Sequence, residues 1–581
     1  MDPVRRLAIG LGFVSLLAGC TIETGYEPPP PPPWGVPITG GTMTISRDGQ
    51  RAIVADPDRD RVVVVDLASK QILDTIALAA GSQPGRVIED GAGRIHVALR
   101  GSGELLTITG VDRQLRAICG EPRGLAWDPA GDLVHVACAT GELVSVPASG
   151  GDPVRVVRLG RDLRDVIVRE GGLVVTTFRA AQILEVDAAG AVVSRIQPPV
   201  TTRPDVDARM SPVLVDAIPE VAWRTIALAD GRLLMSHQRR LGAVLRVQTG
   251  GYGGHCNGSP VESALTIVGT DGVPFAIPPI TFATLPVDVA VNPQTGELAV
   301  ASAGQDSIQL VAASQTTNPD MGGCGGISAS FTTLAPGTPT SVGYRPDGTL
   351  VVFYPDSDVL ALFDGATSRT ISLGAGPAAD AGRTLFHHAT LSGLACASCH
   401  PEGRDDGGVW TFDTLGVCRT QSLAGGILSR APYHWGGDMP TLHALVENVL
   451  TERMAGPPVS RDDERALGAW LDRVPAPKGV TLDADQVIRG EALFRAPEQG
   501  CTSCHTGALY TNNQLASVGT GAPLKVPSLV GVGARAPFLH DGCAATLRDR
   551  FGACGGGDAH GHTSQLSEAQ LADLTAYLES L

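Results

Sequence analysis

Positive charge is scarce in this 581-residue chain: 44 lysines and arginines face 60 aspartates and glutamates, a formal net charge of −16. That balance excludes nucleic acid as a partner, because phosphate binding needs clustered Lys and Arg. An acidic surface would instead steer a basic partner. Long apolar runs are also missing, and past residue 20 none could span a bilayer. Charged residues of both signs make up only 18%, whereas Gly (72) and Pro (42) are abundant. This composition suits many short strands and turns. The length exceeds one ordinary core, so a multi-domain chain is expected.

The N-terminus has the layout of an export signal. Arg5 and Arg6 precede an apolar stretch, Leu7 to Leu17, and Leu17-Ala18-Gly19-Cys20 closes it. That tetrad resembles a bacterial lipobox, which implies a lipoprotein signal peptide over 1–20 and lipidation of Cys20. The alternative is an ordinary signal peptide with an incidental cysteine. Residues 21–40 read as a tether, since Pro28 to Pro33 form an unbroken, stiff polyproline run. A lipid-anchored domain needs such a spacer to stand off its membrane. Thr21 replaces the Asp that marks inner-membrane retention. The expected location is the cell envelope of a Gram-negative bacterium, periplasmic or anchored to the outer membrane.

Residues 41–375 repeat one theme, a turn followed by apolar strands. Ser46-Arg47-Asp48-Gly49 precedes Ala52 to Ala55, and Asp128-Pro129-Ala130-Gly131 precedes Leu133 to Ala137. Asn292 to Gly296 and Arg345 to Gly348 introduce strands in the same way. Unit starts fall near 43, 84, 122, 163, 211, 286 and 340. Seven units of roughly 40 residues predict an all-β, seven-bladed propeller, and a sandwich or fibrous array is the alternative. The pattern resembles the YVTN-type propellers of exported bacterial proteins. The fifth unit is swollen by a Gly-rich insertion around Gly250 to Pro286. No catalytic cluster stands out here: His96, His135, His237 and His255 fall in different units and read as structural.

After about 376 the strand patterns give way to helical ones, such as Thr441 to Val446 and Leu566 to Leu581. Two Cys-x-x-Cys-His motifs sit in this part, Cys396-Cys399-His400 and Cys501-Cys504-His505. The spacing suits two thioether bonds to the vinyl groups of a haem, with the adjacent His reaching the iron. Two copies in an exported chain predict two covalently attached haem c. Zinc, the rival, does not need a His directly after the second Cys. An offset of 105 maps one motif onto the other, and also Arg430-Ala431-Pro432-Tyr433 onto Arg535-Ala536-Pro537-Phe538. The expectation is therefore a pair of all-α cytochrome c domains, over 376–480 and 481–581. Of the twelve cysteines, one lipidated and four in the motifs leave seven, an odd number. Cys119 with Cys138, Cys256 with Cys324 and Cys543 with Cys554 are candidate disulfides, although spacing alone does not fix pairing.

Val526-Pro527-Ser528-Leu529, Ala536 to Gly542 and Tyr433-His434-Trp435-Gly436-Gly437 resemble segments of the di-haem cytochrome c peroxidase and methylamine-utilisation-type di-haem enzyme superfamily. The resemblance covers residues 376 to 581. It implies oxidoreduction, with peroxide reduced or another protein oxidised at one haem while the second relays electrons. It also implies an aromatic relay at Trp435, although Gly436 and Gly437 leave the Asp and Arg of the family's Trp-Asp-Gly-Arg segment unmatched. No methionine follows Met454, so the second haem lacks the family's thioether ligand. Met454 plus 105 falls one residue short of His560, which makes Met454 and His560 the candidate sixth ligands, with His540 a rival. Packing of Met454 in a core and a solvated His560 are the alternative. Partners implied are a redox protein or small electron donor, hydrogen peroxide, and a membrane through the lipid anchor. The propeller would serve as a docking module. Two rival functions remain: pure electron transfer with both irons six-coordinate, and a propeller dehydrogenase or binding module feeding the haems.

Overall fold

The computed structural model describes residues 35–207, 209–332, 336–365 and 367–581. The signal segment, Cys20 and the proline run lie outside the described residues.

Seven antiparallel sheets follow one another along the chain, six of four strands and one of five. Their first strands begin at Met43, Pro84, Pro122, Leu163, Thr201, Pro286 and Ser341. Turn residues that accept left-handed backbone separate the strands, Gly49 among them. The middle strands are largely buried on both faces rather than alternating. Ala52, Ile53, Val54 and Ala55 are all fully buried, because each sheet is covered on both faces by its neighbours. Outer strands such as Gln71–Ala77 are largely exposed.

The packing clusters travel around a circle. Val54 and Val63 of the first sheet pack with Val351 and Phe353 of the seventh, while Ile53 and Val62 pack with Val97 and Leu106 of the second. Similar clusters join the second sheet to the third and the third to the fourth. Others join the fourth to the fifth and the fifth to the sixth. The ring is closed where Gly41 N–H donates to Thr340 O at 3.2 Å and Thr42 N–H to Ser341 Oγ at 2.6 Å. This is a β-propeller of seven blades. Blade 1 and blade 7 are each built from contiguous chain, so among the described residues no strand is exchanged at the closure.

Blade 5 departs from the others. Its long strand Pro212–Ala227 pairs with Thr201–Val206 through its first half and with Leu233–Leu241 over most of its length. The insertion lies at residues 242–260, earlier than the sequence suggests, since Val261–Val268 and Pro274–Ala276 complete the sheet. Residues 35–40, the end of the expected tether, are buried, with Gly35 N–H donating to Arg473 O at 2.9 Å.

The last third contains α1 (Ala381–His387), α2 (Cys396–Cys399), α3 (Leu442–Leu445), α4 (Arg461–Arg473), α5 (Ala484–Arg495) and α6 (Glu568–Ser580). Each long helix starts where the sequence supplies a cap. Ser460 accepts from Asp463 N–H, Asp483 from Gln486 N–H, and Ser567 with Gln570 forms a reciprocal box. The all-α expectation is corrected here. Long irregular connections separate the helices, and two small ladders form: Val409–Phe412 with Gly416–Arg419, and Leu515–Ala516 with Leu524–Lys525. Gly- and Pro-dense connections cannot sustain helix.

The 105-residue offset is visible as structure. Bridges Tyr433–Met439 and Phe538–Ala544 correspond, and both halves have a cis proline, at Pro432 and Pro537. In each half two helices cross at a glycine. A side chain at Gly382 of α1 would collide with the Ala466 carbonyl of α4, and one at Gly490 of α5 with that of Asp573 on α6. Among the described residues, no helix is long and apolar enough to cross a membrane.

Candidate functional site

The first Cys-x-x-Cys-His motif forms α2, a single turn. Ala395 N–H donates to Ser398 Oγ at 3.1 Å, and His400 N–H to Cys396 O at 2.9 Å. Both thiols are unpaired. Burial pushes Cys396 up to about 12 and raises Cys399 further from its ordinary range. His400 Nδ1 lies 3.2 Å from the Arg404 carbonyl. A carbonyl only accepts, so Nδ1 carries the proton, and burial favours the neutral ring. The Nε2 lone pair is thereby left for a metal.

These residues line a cavity of about 750 Å³, within the range of about 300–1,000 Å³ usual for cofactor sites. Met454 lines the same cavity and is buried, at 5% exposure. The blade 5 insertion supplies another wall with Leu245 and Tyr252. Gly250 and Tyr252 N–H groups donate to Glu452 O at 2.7 Å and Arg453 O at 3.0 Å, clasping the segment that carries Met454. Val244–Leu245 pairs in parallel with Val409–Phe412. The second half contributes Lys525, Arg535 and His540 to the cavity. Burial and neighbouring Arg430 pull Lys525 down to about 8.

Trp435 lies between the halves. It lines the cavity, donates Nε1–H to Arg419 O at 2.8 Å, and meets the His540 ring edge-on at 6.3 Å.

At the second motif, His505 Nδ1 lies 2.9 Å from Tyr510 O, the same arrangement as at His400. The His560 ring is 6.5 Å from that of His505, centroid to centroid, with planes inclined by 34°. His560 Nδ1 is buried without a partner. Burial, then the nearby Arg550 charge, pulls His560 down to about 3, so the ring is neutral. The Cys543–Cys554 disulfide holds its loop against the His540-Asp541-Gly542 segment. Cys119–Cys138 and Cys256–Cys324 also form, which leaves Cys418 as the unpaired remainder of the seven.

The propeller histidines are hydrogen-bonded within their blades. His96 joins Asp90 at 2.9 Å and Thr107 at 3.1 Å, His135 joins Ser145 at 2.8 Å, and His237 joins Thr266 at 2.8 Å. Burial keeps His135 at about 4 and His237 at about 3. His255 pairs with Asp205 at 2.8 Å. Among the described residues, no three His, Cys, Asp or Glu side chains converge into a metal-holding group.

Sequence reasoning missed what lies behind His400. Glu402, 1% exposed and at φ +55°, accepts from Arg100 at 2.8 Å, Arg123 at 3.2 Å and Arg164 at 2.6 Å. These arginines belong to blades 2, 3 and 4. Gln238 of blade 5 donates to Ser398 O at 2.8 Å. The axial face of the propeller is thus occupied by the chain's own motif. A signal was present: Arg86, Arg123 and Arg164 recur near the start of successive innermost strands.

The fold and site define a seven-bladed propeller whose axial face seats the first of two related helical halves. No protein-family model matches the chain. Hydrazine synthase subunit gamma of Kuenenia stuttgartiensis is 29% identical over a region covering 16% of this chain. The match spans 40% of that protein's length. Among solved structures, Kuenenia stuttgartiensis hydrazine synthase aligns with 57% of this chain and 96% of its own at 16% identity, with a TM-score of 0.46. A streptogramin B lyase aligns over 55% and 91% at 11% identity, with a TM-score of 0.39.

Proposed function

We propose that this chain is an exported, lipid-anchored c-type cytochrome with two covalent haems, in which electron transfer is the primary activity. The observation that carries the reading is the pairing of each Cys-x-x-Cys-His motif with a second candidate axial side chain. Met454 shares the cavity of Cys396, Cys399 and His400, and His560 faces His505 at 6.5 Å. His505 and His560 would hold the second iron between them, which the spacing of their rings allows. The enclosed, unpartnered Nδ1 of half-buried His560 adds to this fit.

Haem c bound here would supply one-electron redox chemistry. Cys396, Cys399, Cys501 and Cys504 would hold it covalently, with His400 and His505 as proximal ligands. The Arg404 and Tyr510 carbonyls fix the tautomer of each ring. Arg430, Lys525 and Arg535 line the first cavity and offer positive charge to haem carboxylates. Trp435 bridges the two halves and is the candidate relay. Three disulfides fit an oxidising envelope compartment.

Membership of the di-haem peroxidase-like superfamily, and peroxide-dependent oxidoreduction with it, is the second reading. The repeated segments Arg430–Tyr433 and Arg535–Phe538 favour it. It needs an open coordination position, which Met454 and His560 both oppose. The donor would be a redox protein or a small reductant.

The deciding measurement is made on the full chain matured in a bacterial envelope. Intact mass should rise by two haems, and the oxidised protein should be low-spin at both irons. Met454→Ala should turn the first iron high-spin and His560→Ala the second. Absence of covalent haem refutes the reading. Unchanged spectra in both variants refute the ligand assignment, and rapid peroxide turnover by the unaltered protein would favour the peroxidase.

A further inference from the structure

The loop behind His400 is held in a way that the loop behind His505 is not. Pro401–Gly403 makes a turn in which Glu402 adopts a left-handed conformation, φ +55°. For a residue other than glycine such a backbone costs on the order of 1–3 kcal/mol and persists only where its surroundings fix it. Here three blades do so through the Glu402 carboxylate. Two of the guanidinium groups are themselves seated on aromatic faces or edges, with Arg123 5.4 Å and Arg164 4.3 Å from the centre of Phe178.

The next residues extend the same array. Arg404 pairs with Glu121 at 3.0 Å, and Glu121 is shared with Arg100 at 2.9 Å. Asp405 lies 2.8 Å from both Arg179 of blade 4 and Arg419. Asp162 joins Arg123 at 2.9 Å and Arg179 at 3.3 Å. Counting these groups, six arginines (100, 123, 164, 179, 404 and 419) meet four carboxylates (121, 162, 402 and 405), an excess of two positive charges. The array ends on Arg404, whose carbonyl accepts from His400 Nδ1. The corresponding carbonyl at the second motif is that of Tyr510, in an uncharged loop, Thr506 to Tyr510.

We propose that the axial arginines of the propeller set the reduction potential of the first haem, holding the His400 loop through Glu402 and Arg404 and keeping a net positive field beneath it. The inference rests on the haem reading above. Glu402, Arg164 and Arg404 act as positioning residues, since each reaches the iron only through His400 or through its field. A positive field disfavours the oxidised iron, which carries one more positive charge than the reduced iron, so it raises the potential. The propeller would then be the reason that two related sites in one chain work at different potentials.

The test is an optical and EPR redox titration of the full, haem-loaded chain and its variants. Arg164→Gln and Arg404→Gln should lower the potential of the first haem, and Glu402→Gln should raise it. Each should change the reduced-to-oxidised ratio at fixed potential by about tenfold, or about 59 mV for one electron. The second haem should stay unchanged, and Arg164→Lys should recover most of the shift. Equal potentials in all variants with full haem content overturn the inference while the cytochrome reading stands. Shifts of one sign in both Arg164→Gln and Glu402→Gln also overturn it. If the buried variants do not fold, Arg179→Gln decides alone and should lower the potential of the first haem, because this blade 4 arginine keeps 16% of its side chain exposed. Absence of covalent haem from the unaltered chain would remove the reading and the inference together.

Discussion

Replacing Gly382 with alanine inserts one methyl group where α1 crosses α4. A Cβ at that position would sit 2.5 Å from the Ala466 carbonyl carbon and 2.8 Å from Leu467 N, against an ordinary contact distance that begins near 3.4 Å. The Ala466 carbonyl oxygen is nearer still, at 2.2 Å, and all three atoms belong to helix backbone, so the helices must part by roughly 1.2 Å. Overpacking of this kind costs about 1–3 kcal/mol. Better helix propensity recovers less than about 1 kcal/mol, because the site is in the first turn. The net loss expected is about 1–2 kcal/mol, or a melting shift of roughly 2–8 °C in a unit of about 200 residues. Gly468 of α4 is the control. A Cβ there meets Leu442 Cδ2 at 2.6 Å, the end of a side chain that can rotate away. Gly468→Ala should be neutral or slightly stabilising. Gly490→Ala should behave like Gly382→Ala, since its Cβ would lie 2.7 Å from the Asp573 carbonyl carbon. Thermal melting followed by circular dichroism reads all three. Equal melting temperatures for Gly382→Ala and the unaltered chain, or equal losses at 382 and 468, would refute a backbone-limited crossing.

Burial raises Asp406 from an ordinary 3.8 to about 6. Between these values the folded group keeps a proton that the unfolded chain has released, so stability falls as pH rises through the window, by up to roughly 3 kcal/mol. Asp406→Asn should flatten that slope, and parallel denaturation midpoints at pH 4.5 and 7 would contradict it. Losing the Cys256–Cys324 bridge should destabilise more than losing Cys119–Cys138, roughly 4 against 3 kcal/mol, since the closed segments span 68 and 19 residues. The reverse ranking in urea would show that native packing rather than chain entropy governs. Trp435→Phe removes the hydrogen bond to Arg419 O, a loss of about 1 kcal/mol. On the proposed haem reading it should also slow electron exchange between the two sites after flash reduction, and an unchanged rate would restrict Trp435 to packing.

The propeller was readable because its signal is local and repeated. Each turn of the Ser46–Gly49 kind sits beside an apolar strand, and seven copies reinforce one another. The 105-residue offset was legible for the same reason, down to the paired bridges at Tyr433 and Phe538. The last third was harder. Its helices at Arg461–Arg473 and Glu568–Ser580 carry caps and apolar periodicity, but the connections are organised by tertiary contacts that no period announces. The Glu402 array joins residues up to 302 positions apart, and only the recurrence of arginine near blade openings hinted at it. The Gly-rich insertion of blade 5 was visible as an irregularity, yet its role as a cavity wall depends on contact with Glu452 and Arg453.

Residues 35–42 run across the propeller axis, where Arg164 donates to Thr39 O, Arg86 to Gly40 O, and Ile38 N–H reaches His387 Nε2 at 3.5 Å. Gly35 reaches Arg473 O, more than 400 residues along the chain. This places a constraint on the order of assembly. The earliest described residues find their final partners only after α4 has emerged, so the blades must stack first around an axis that is still open. Pairings of such long sequence separation form late. On the proposed reading, haem attachment at Cys396 and Cys399 would have its opportunity in that interval, before the His400 loop and the N-terminal segment together seal the axis. A chain truncated before Arg461 should therefore stall with an unsealed, protease-sensitive N-terminal segment even when all seven blades are complete.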